Sequence, residues 1–134
     1  MDDRSSPQEV EEGTPDIQRM YQQQKEFMDL LREKRGFPEF PMDLNVKSSQ
    51  KFIKSIAHDA MGELFEAVQE LKNSKGHRAT EISDFDREAY VEELVDTQHF
   101  LFEILILSGV SLEEFYKAYM AKGVRNDSRI RNGY

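Results

Sequence analysis

From Val91 to Leu107 the chain carries apolar side chains on every side of the helix it would form, and this segment limits the fold more than any other. At 100° per residue, Val91, Leu94, Gln98, Leu101, Phe102 and Leu105 point one way, while Phe100, Ile104 and Leu107 point roughly the opposite way. A helix apolar all round belongs at the centre of its assembly. The 134 residues make one domain, which can hardly wrap such a helix from every side. The segment is no membrane span either: no apolar run reaches the ~18 residues required, and Glu103 interrupts Phe100 to Leu107. The expected fold is all-α, a four-helix bundle-type chain completed by homo-oligomerisation, as a dimer or a dimer of dimers.

The remaining helices follow from spacing and punctuation. Residues 1–14 hold five acids and one arginine and read as a disordered acidic tail, leaving 15–134 as the folded domain. Thr14-Pro15 reads as a helix start for 15–35, with Ile17, Met20, Tyr21, Gln24, Phe27, Met28 and Leu31 on one stripe and Gly36 as the stop. A two-proline loop leads to a second helix over 46–75, where Ile53, Ala57, Ala60, Leu64, Ala67 and Leu71 form a seam. Ser83 with Asp86, and Ser111 with Glu114, resemble capping boxes that open a third helix over 83–108 and a fourth over 111–122. Glycines at 109 and 123 end them.

Charge and composition narrow the function classes. With 26 acids against 18 lysines and arginines the net charge is -8, which argues against a binder of nucleic-acid polymers or anionic membranes. No cysteine is present, so disulfides, thiolate metal ligands and a thiol nucleophile are excluded. The acidic, polar N-terminus is the opposite of a signal or transit peptide, and the expected location is cytoplasmic.

Two pairs of acids carry the chemistry. Glu63 and Glu66 are three residues apart on the second helix, and Glu93 and Asp96 are three apart on the third. Residues i and i+3 stack on one helix face, and like charges there disfavour the helix unless a cation neutralises them. A single such pair is commonly a solvated face in a chain that is 33% charged. Two pairs on adjacent helices, each beside an apolar face, would be costly to leave unpaired. Oxygen-only ligands suit Mg²⁺ or Mn²⁺.

Gly62-Glu63-Leu64-Phe65-Glu66-Ala67 followed by Glu92-Glu93-Leu94-Val95-Asp96 resembles the E-x-x-E … E-x-x-D signature of the all-α nucleoside triphosphate pyrophosphohydrolases, which include the MazG proteins and the dimeric dUTPases. The 26 intervening residues match that spacing, and Lys122-x-x-x-Asn126-x-x-Arg129 resembles a downstream basic segment of the same families. The resemblance covers roughly residues 15 to 134. It implies that Glu63, Glu66, Glu93 and Asp96 hold Mg²⁺ ions on a nucleoside triphosphate, with Mn²⁺ able to substitute, and that Glu63 or Glu66 is the general base. It implies a metal-activated water as nucleophile, and a nucleoside monophosphate and pyrophosphate as products. Metals also explain how an acidic protein meets a tetraanion.

The resemblance makes Lys122, Asn126 and Arg129 phosphate contacts, and the cluster of Lys72, Lys75, His77 and Arg78 falls where dimeric dUTPases carry a lysine-rich segment. Lys75 and Arg78 are counted as substrate-binding, although a solvated helix end accounts for that cluster as well. Gln24 lies where those enzymes read uracil with amide side chains, but their nearby asparagine and tryptophan are missing, which keeps purines such as dGTP beside dUTP and dCTP as substrates. His99 reads as a packing residue or a support to Asp96, Tyr21 and Phe27 as core, and Lys51 and Lys54 as solvent-facing. A di-iron bundle needs two E-x-x-H motifs and this chain has none. A non-catalytic helical dimerisation module is the competing class.

Overall fold

Each helix boundary is set by a local contest between capping and packing, and a computed structural model shows the outcome for residues 13–72, 75–77, 79 and 85–133. The tail expected over 1–14 falls outside these residues except for its last two, as do Ser83 and Arg78. The described elements are four α-helices, with no strand among the described residues.

Helix α1 is Ile17–Arg35. Its cap is Asp16, not Thr14: the Asp16 carboxylate accepts from the backbone N–H groups of Gln18 and Arg19 at 3.0 and 3.3 Å. A carboxylate serves here as acceptor and as a negative charge at the positive helix end. Gly36 stops the helix at φ 69°, its N–H donating to the Arg32 carbonyl.

Helix α2 is Lys47–Gln69, six residues shorter at its end than the spacing predicts. The N–H groups of Glu70 and Leu71 turn back onto the carbonyls of Ala67 and Val68, each at 3.0 Å. Ala67 is the last buried residue of the seam and Leu71 is exposed, so no packing sustains another turn. Lys72, Lys75 and His77 therefore follow the helix rather than end it.

Helix α3 is Arg87–Leu107. Asp86, expected inside the helix, is itself the cap and accepts from the Ala89 N–H at 3.0 Å. Helix α4 is Leu112–Arg131, opened as expected by Ser111 accepting from the Glu114 N–H. It does not end near Lys122. It runs through Gly123, sustained by i,i+4 pairs on both sides, Lys117–Glu113 at 3.2 Å and Arg131–Asp127 at 2.7 Å. A single mid-helix glycine costs only about 1 kcal/mol. No single helix is long and apolar enough to cross a membrane among the described residues.

The dominant packing is α2 against α3, with α1 laid on α3. Met28, Ile56, Ile106 and Leu107 form the buried centre, and Phe37, Phe40, Phe52 and Phe100 pack around it. The loop after α1 is tied to the end of α3, where the Met42 N–H donates to the Leu107 carbonyl at 2.7 Å. Gly109, at φ 72°, turns beneath Pro41, and a Cβ there would meet the proline at 3.0 Å. Tyr21 packs edge-on to Phe102 at 5.9 Å, and its hydroxyl donates to the Val110 carbonyl.

Two expectations are corrected by this packing. Phe27 is an exposed residue, not core, because the α1 stripe that faces α3 runs through Gln24 and Met28 instead. Leu64 is exposed although it belongs to the predicted seam, of which Ala60 and Ala67 alone are fully buried. On α3 Ile106 and Leu107 enter the core centre and Phe102, from the other face, is buried against Tyr21, while Val91, Leu94, Val95 and Leu101 stand exposed in the single chain.

Leu107→Ala should lower stability by about 2–5 kcal/mol, the range for emptying a fully buried leucine site, measured by urea unfolding. Gly123→Ala should raise the helicity of α4, with slower amide exchange over residues 124–131. A loss of helicity would mean that Gly123 terminates the helix.

Candidate metal centre

The α2–α3 contact positions the acids. Because Glu63 lies against Glu93 while Asp59 lies nearest Glu103, the two helices run antiparallel. One carboxylate oxygen from each of Glu63, Glu66 and Glu93 lies within 4.8 Å of the others. Glu63 and Glu93 are half-buried and Glu66 is exposed, so the group opens to solvent on the Glu66 side.

The electrostatics are unfavourable as the protein stands. Glu93 Oε2 is fully buried and has no hydrogen-bond partner. The neighbouring Glu63 carboxyl, then burial, then Glu66 push the Glu93 carboxyl up to about 7. Burial is the first cause that raises Glu63; the charges of Glu66 and Asp96 raise it further, and the contact with Glu93 partly offsets them. Asp96, half-buried, is near enough for its charge to act on Glu63, although it is not one of the three oxygens in the tight group. Beneath them the Thr97 hydroxyl donates to the Glu93 carbonyl at 2.9 Å, which spares the acids no charge.

The donor set fits a hard divalent cation. It is oxygen-only, drawn from two helices, and one buried oxygen lacks any partner, which is the group a cation would satisfy. Glu63, Glu66 and Glu93 would hold the ion, with Asp96 at the rim.

The other predicted residues are dispersed. Lys122, Asn126 and Arg129 are exposed on α4, and Lys75 is exposed after α2. Gln24 is buried at 5% exposure, its Nε2 donating to Glu103 Oε2 at 3.5 Å. Arg78 is outside the described residues. His99 is exposed in the single chain, against the packing reading. Lys51 and Lys54 face solvent as expected.

One chemically loaded residue was missed. Glu103 is 5% exposed, and burial first, then the Asp59 charge, push its carboxyl up to about 7. The signal was an acid inside an otherwise apolar run, read only as an interruption. Comparison with protein-family models, with curated proteins and with solved structures finds no match.

The Glu103 shift has a sign. The folded carboxyl titrates near 7, above the unfolded value of 4.5, so the folded state binds the proton more tightly. Its protonation thus favours folding below pH 4.5, and that advantage is lost as pH rises through 7. Glu103→Gln should be more stable than the parent at pH 8 and should lose less stability between pH 5 and pH 8. Urea unfolding at both values measures this; a variant less stable at pH 8 would contradict the shift.

Proposed function

We propose that this chain is a Mg²⁺-dependent (deoxy)nucleoside triphosphate pyrophosphohydrolase of the all-α, MazG-like kind, acting as a homo-oligomer in control of the nucleotide pool. The observation that carries the reading is the convergence of Glu63, Glu66 and Glu93 from two helices within 4.8 Å, with a buried Glu93 oxygen left unpartnered. The resemblance of the two acidic motifs and of Lys122-x-x-x-Asn126-x-x-Arg129 to that superfamily supports it independently.

Each residue then has a defined task. Glu63, Glu66, Glu93 and Asp96 hold the cation, which when bound neutralises phosphate charge and lowers the pKa of water. Glu63 or Glu66 takes the proton from the attacking water. Water adds to phosphorus as the α,β-anhydride bond breaks, giving monophosphate and pyrophosphate. Lys122, Asn126 and Arg129 contact phosphate oxygens, Arg129 as a bidentate fork. Lys75 and Arg78 add positive charge; Gln24, expected to meet the base, is instead buried with its amide on Glu103 and has no part in the site.

The oligomer is supported by the large apolar side chains that stand exposed in the single chain, among them Phe65, Val95, Leu101 and Tyr119. The same surface favours a second reading, a helical dimerisation module without catalysis. Melting with and without Mg²⁺ plus nucleotide separates the two, since only the enzyme gains stability from the pair.

Incubation with the common ribo- and deoxynucleoside triphosphates and dUTP should yield monophosphate and pyrophosphate for one base, abolished by EDTA. Diphosphate and orthophosphate as products would sink the assignment. The ranking of dUTP, dCTP and dGTP decides between a pyrimidine and a purine enzyme.

Glu63→Gln, Glu66→Gln, Glu93→Gln and Asp96→Asn should each cost at least ~100-fold in rate, comparable to losing a key electrostatic contact. Glu70→Gln, at the C-cap of α2, should be nearly silent. Equal behaviour of Glu93→Gln and Glu70→Gln would reduce the acidic pairs to a solvated face.

A further inference from the structure

Helix α4 ends on two residues whose own atoms can react with each other. Asn132 is the C-cap of α4, at φ -95° and ψ 12°, and Gly133 follows it at φ 75°. The amide carbon of an asparagine is an electrophile, and the next backbone nitrogen can close a five-membered ring on it. Two things ordinarily prevent this. A side chain on the following residue crowds its nitrogen, and a backbone held in secondary structure keeps that nitrogen in a hydrogen bond.

We propose that Asn132-Gly133 is a site of spontaneous deamidation and isomerisation, which turns the neutral cap of α4 into a carboxylate. The Gly133 nitrogen gives its proton to solvent base and attacks Asn132 Cγ. The N–Cγ bond forms, the Cγ–Nδ2 bond breaks, and Nδ2 takes a proton from water and leaves as ammonia. Water then opens the cyclic imide at either carbonyl. One opening gives aspartate, and the other gives isoaspartate, with the chain carried through the side chain. Water is the only co-reactant, and nothing is oxidised or reduced.

Three observations carry the assignment. The first is steric. Gly133 has no Cβ, and nothing lies within 4 Å of where one would stand, so its nitrogen is not crowded.

The second is position. Asn132 and Gly133 follow Arg131, the last residue of α4, and both are exposed. The Gly133 N–H donates to the Ile130 carbonyl at 3.2 Å, in the terminal turn, where a helix frays first. Opening that turn frees the nucleophile without disturbing the rest of α4.

The third is contrast with the other described asparagines. Asn126 lies inside α4, and Asp127 after it carries a side chain and a helical N–H. Asn45 is followed by Val46, whose branched Cβ crowds the nitrogen and whose N–H donates to the Asp43 carbonyl at 3.1 Å. Asn73 lies outside the described residues.

The product changes the helix end. Asn132 Nδ2 donates to Ser128 Oγ at 3.1 Å, and deamidation removes that donor. It sets a negative charge where the last carbonyls already concentrate negative potential. The segment from Phe115 on holds five cations and one acid, and would then hold five and two. Arg129 is three residues before the new charge, a spacing at which opposite charges attract on a helix. Within the pyrophosphohydrolase reading, the carboxylate competes with phosphate for that guanidinium. The modification itself does not depend on that reading.

The test incubates the freshly purified full-length protein at physiological temperature, at pH 6 and pH 8. The intact mass should rise by about 1 Da, the exchange of NH₂ for OH, and faster at pH 8. Glu114 is the last glutamate in the sequence, so cleavage after glutamate releases the segment that begins at Phe115. Fragmentation of that segment should place the change on Asn132, as a mixture of aspartate and isoaspartate. Gly133→Ala, which puts a Cβ beside the attacking nitrogen, should slow the reaction several-fold. Asn132→Gln, whose amide would have to close a six-membered ring, should keep the segment's mass. A parent whose segment keeps its mass over weeks at pH 8, or that changes first at Asn126 or Asn45, overturns the assignment. So does an Asn132→Gln segment that gains mass as fast as the parent's. Asn132→Asp, the direct product, should speed amide exchange over Arg129–Arg131. Exchange equal to the parent's would overturn the effect on the helix end.

Discussion

Everything in this protein depends on the antiparallel packing of α2 on α3. An apolar centre of Met28, Ile56, Ile106 and Leu107 holds the two helices together at the end where α1 and the loop after it also pack. The same contact, extended along the helices, forces Glu63, Glu66 and Glu93 to within 4.8 Å of one another. Left without cations, such a group opposes the packing that creates it, because buried like charges without partners are strongly unfavourable. The chain meets this by proton uptake, with Glu93 pushed up to about 7. A divalent ion would achieve the same neutralisation without giving up the ligands.

Glu103 repeats the theme nearer the core. It is the most deeply buried acid among the described residues, and the Gln24 amide donates to it at 3.5 Å. Asp59 adds repulsion from α2. Acids thus recur along the α2–α3 contact, from the Glu63–Glu93 group to Glu103, with the small, buried Ala60 of α2 between those two levels. Apolar packing at one end is what makes this charged contact affordable.

α4 follows a different logic. Its caps and i,i+4 pairs are local, and it buries nothing in the single chain. A helix held by local capping and ion pairs needs no packing partner to persist, which is why it runs on through Gly123.

The primary structure by itself determined the helical class, the four elements and the two acidic pairs, because 3- and 4-residue apolar spacing and i,i+3 carboxylates are local patterns. It also determined the Ser111 cap and the Gly36 stop, where side-chain chemistry acts within one turn. Tertiary structure decided the rest. It ended α2 at Gln69 because packing stops at Ala67, and it carried α4 past Gly123, whose cost neighbouring pairs offset. It decided which residues of the all-round apolar α3 became core, burying Phe102, Ile106 and Leu107 and leaving Val91, Leu94 and Leu101 exposed, a choice that periodicity leaves open when both faces are apolar. It alone brought Glu93 against Glu63, and Gln24 against Glu103, since residues 30 and 79 positions apart meet only when two helices pack. Charge is written along the chain, but its repulsion is a property of distance, and distance is set by the fold.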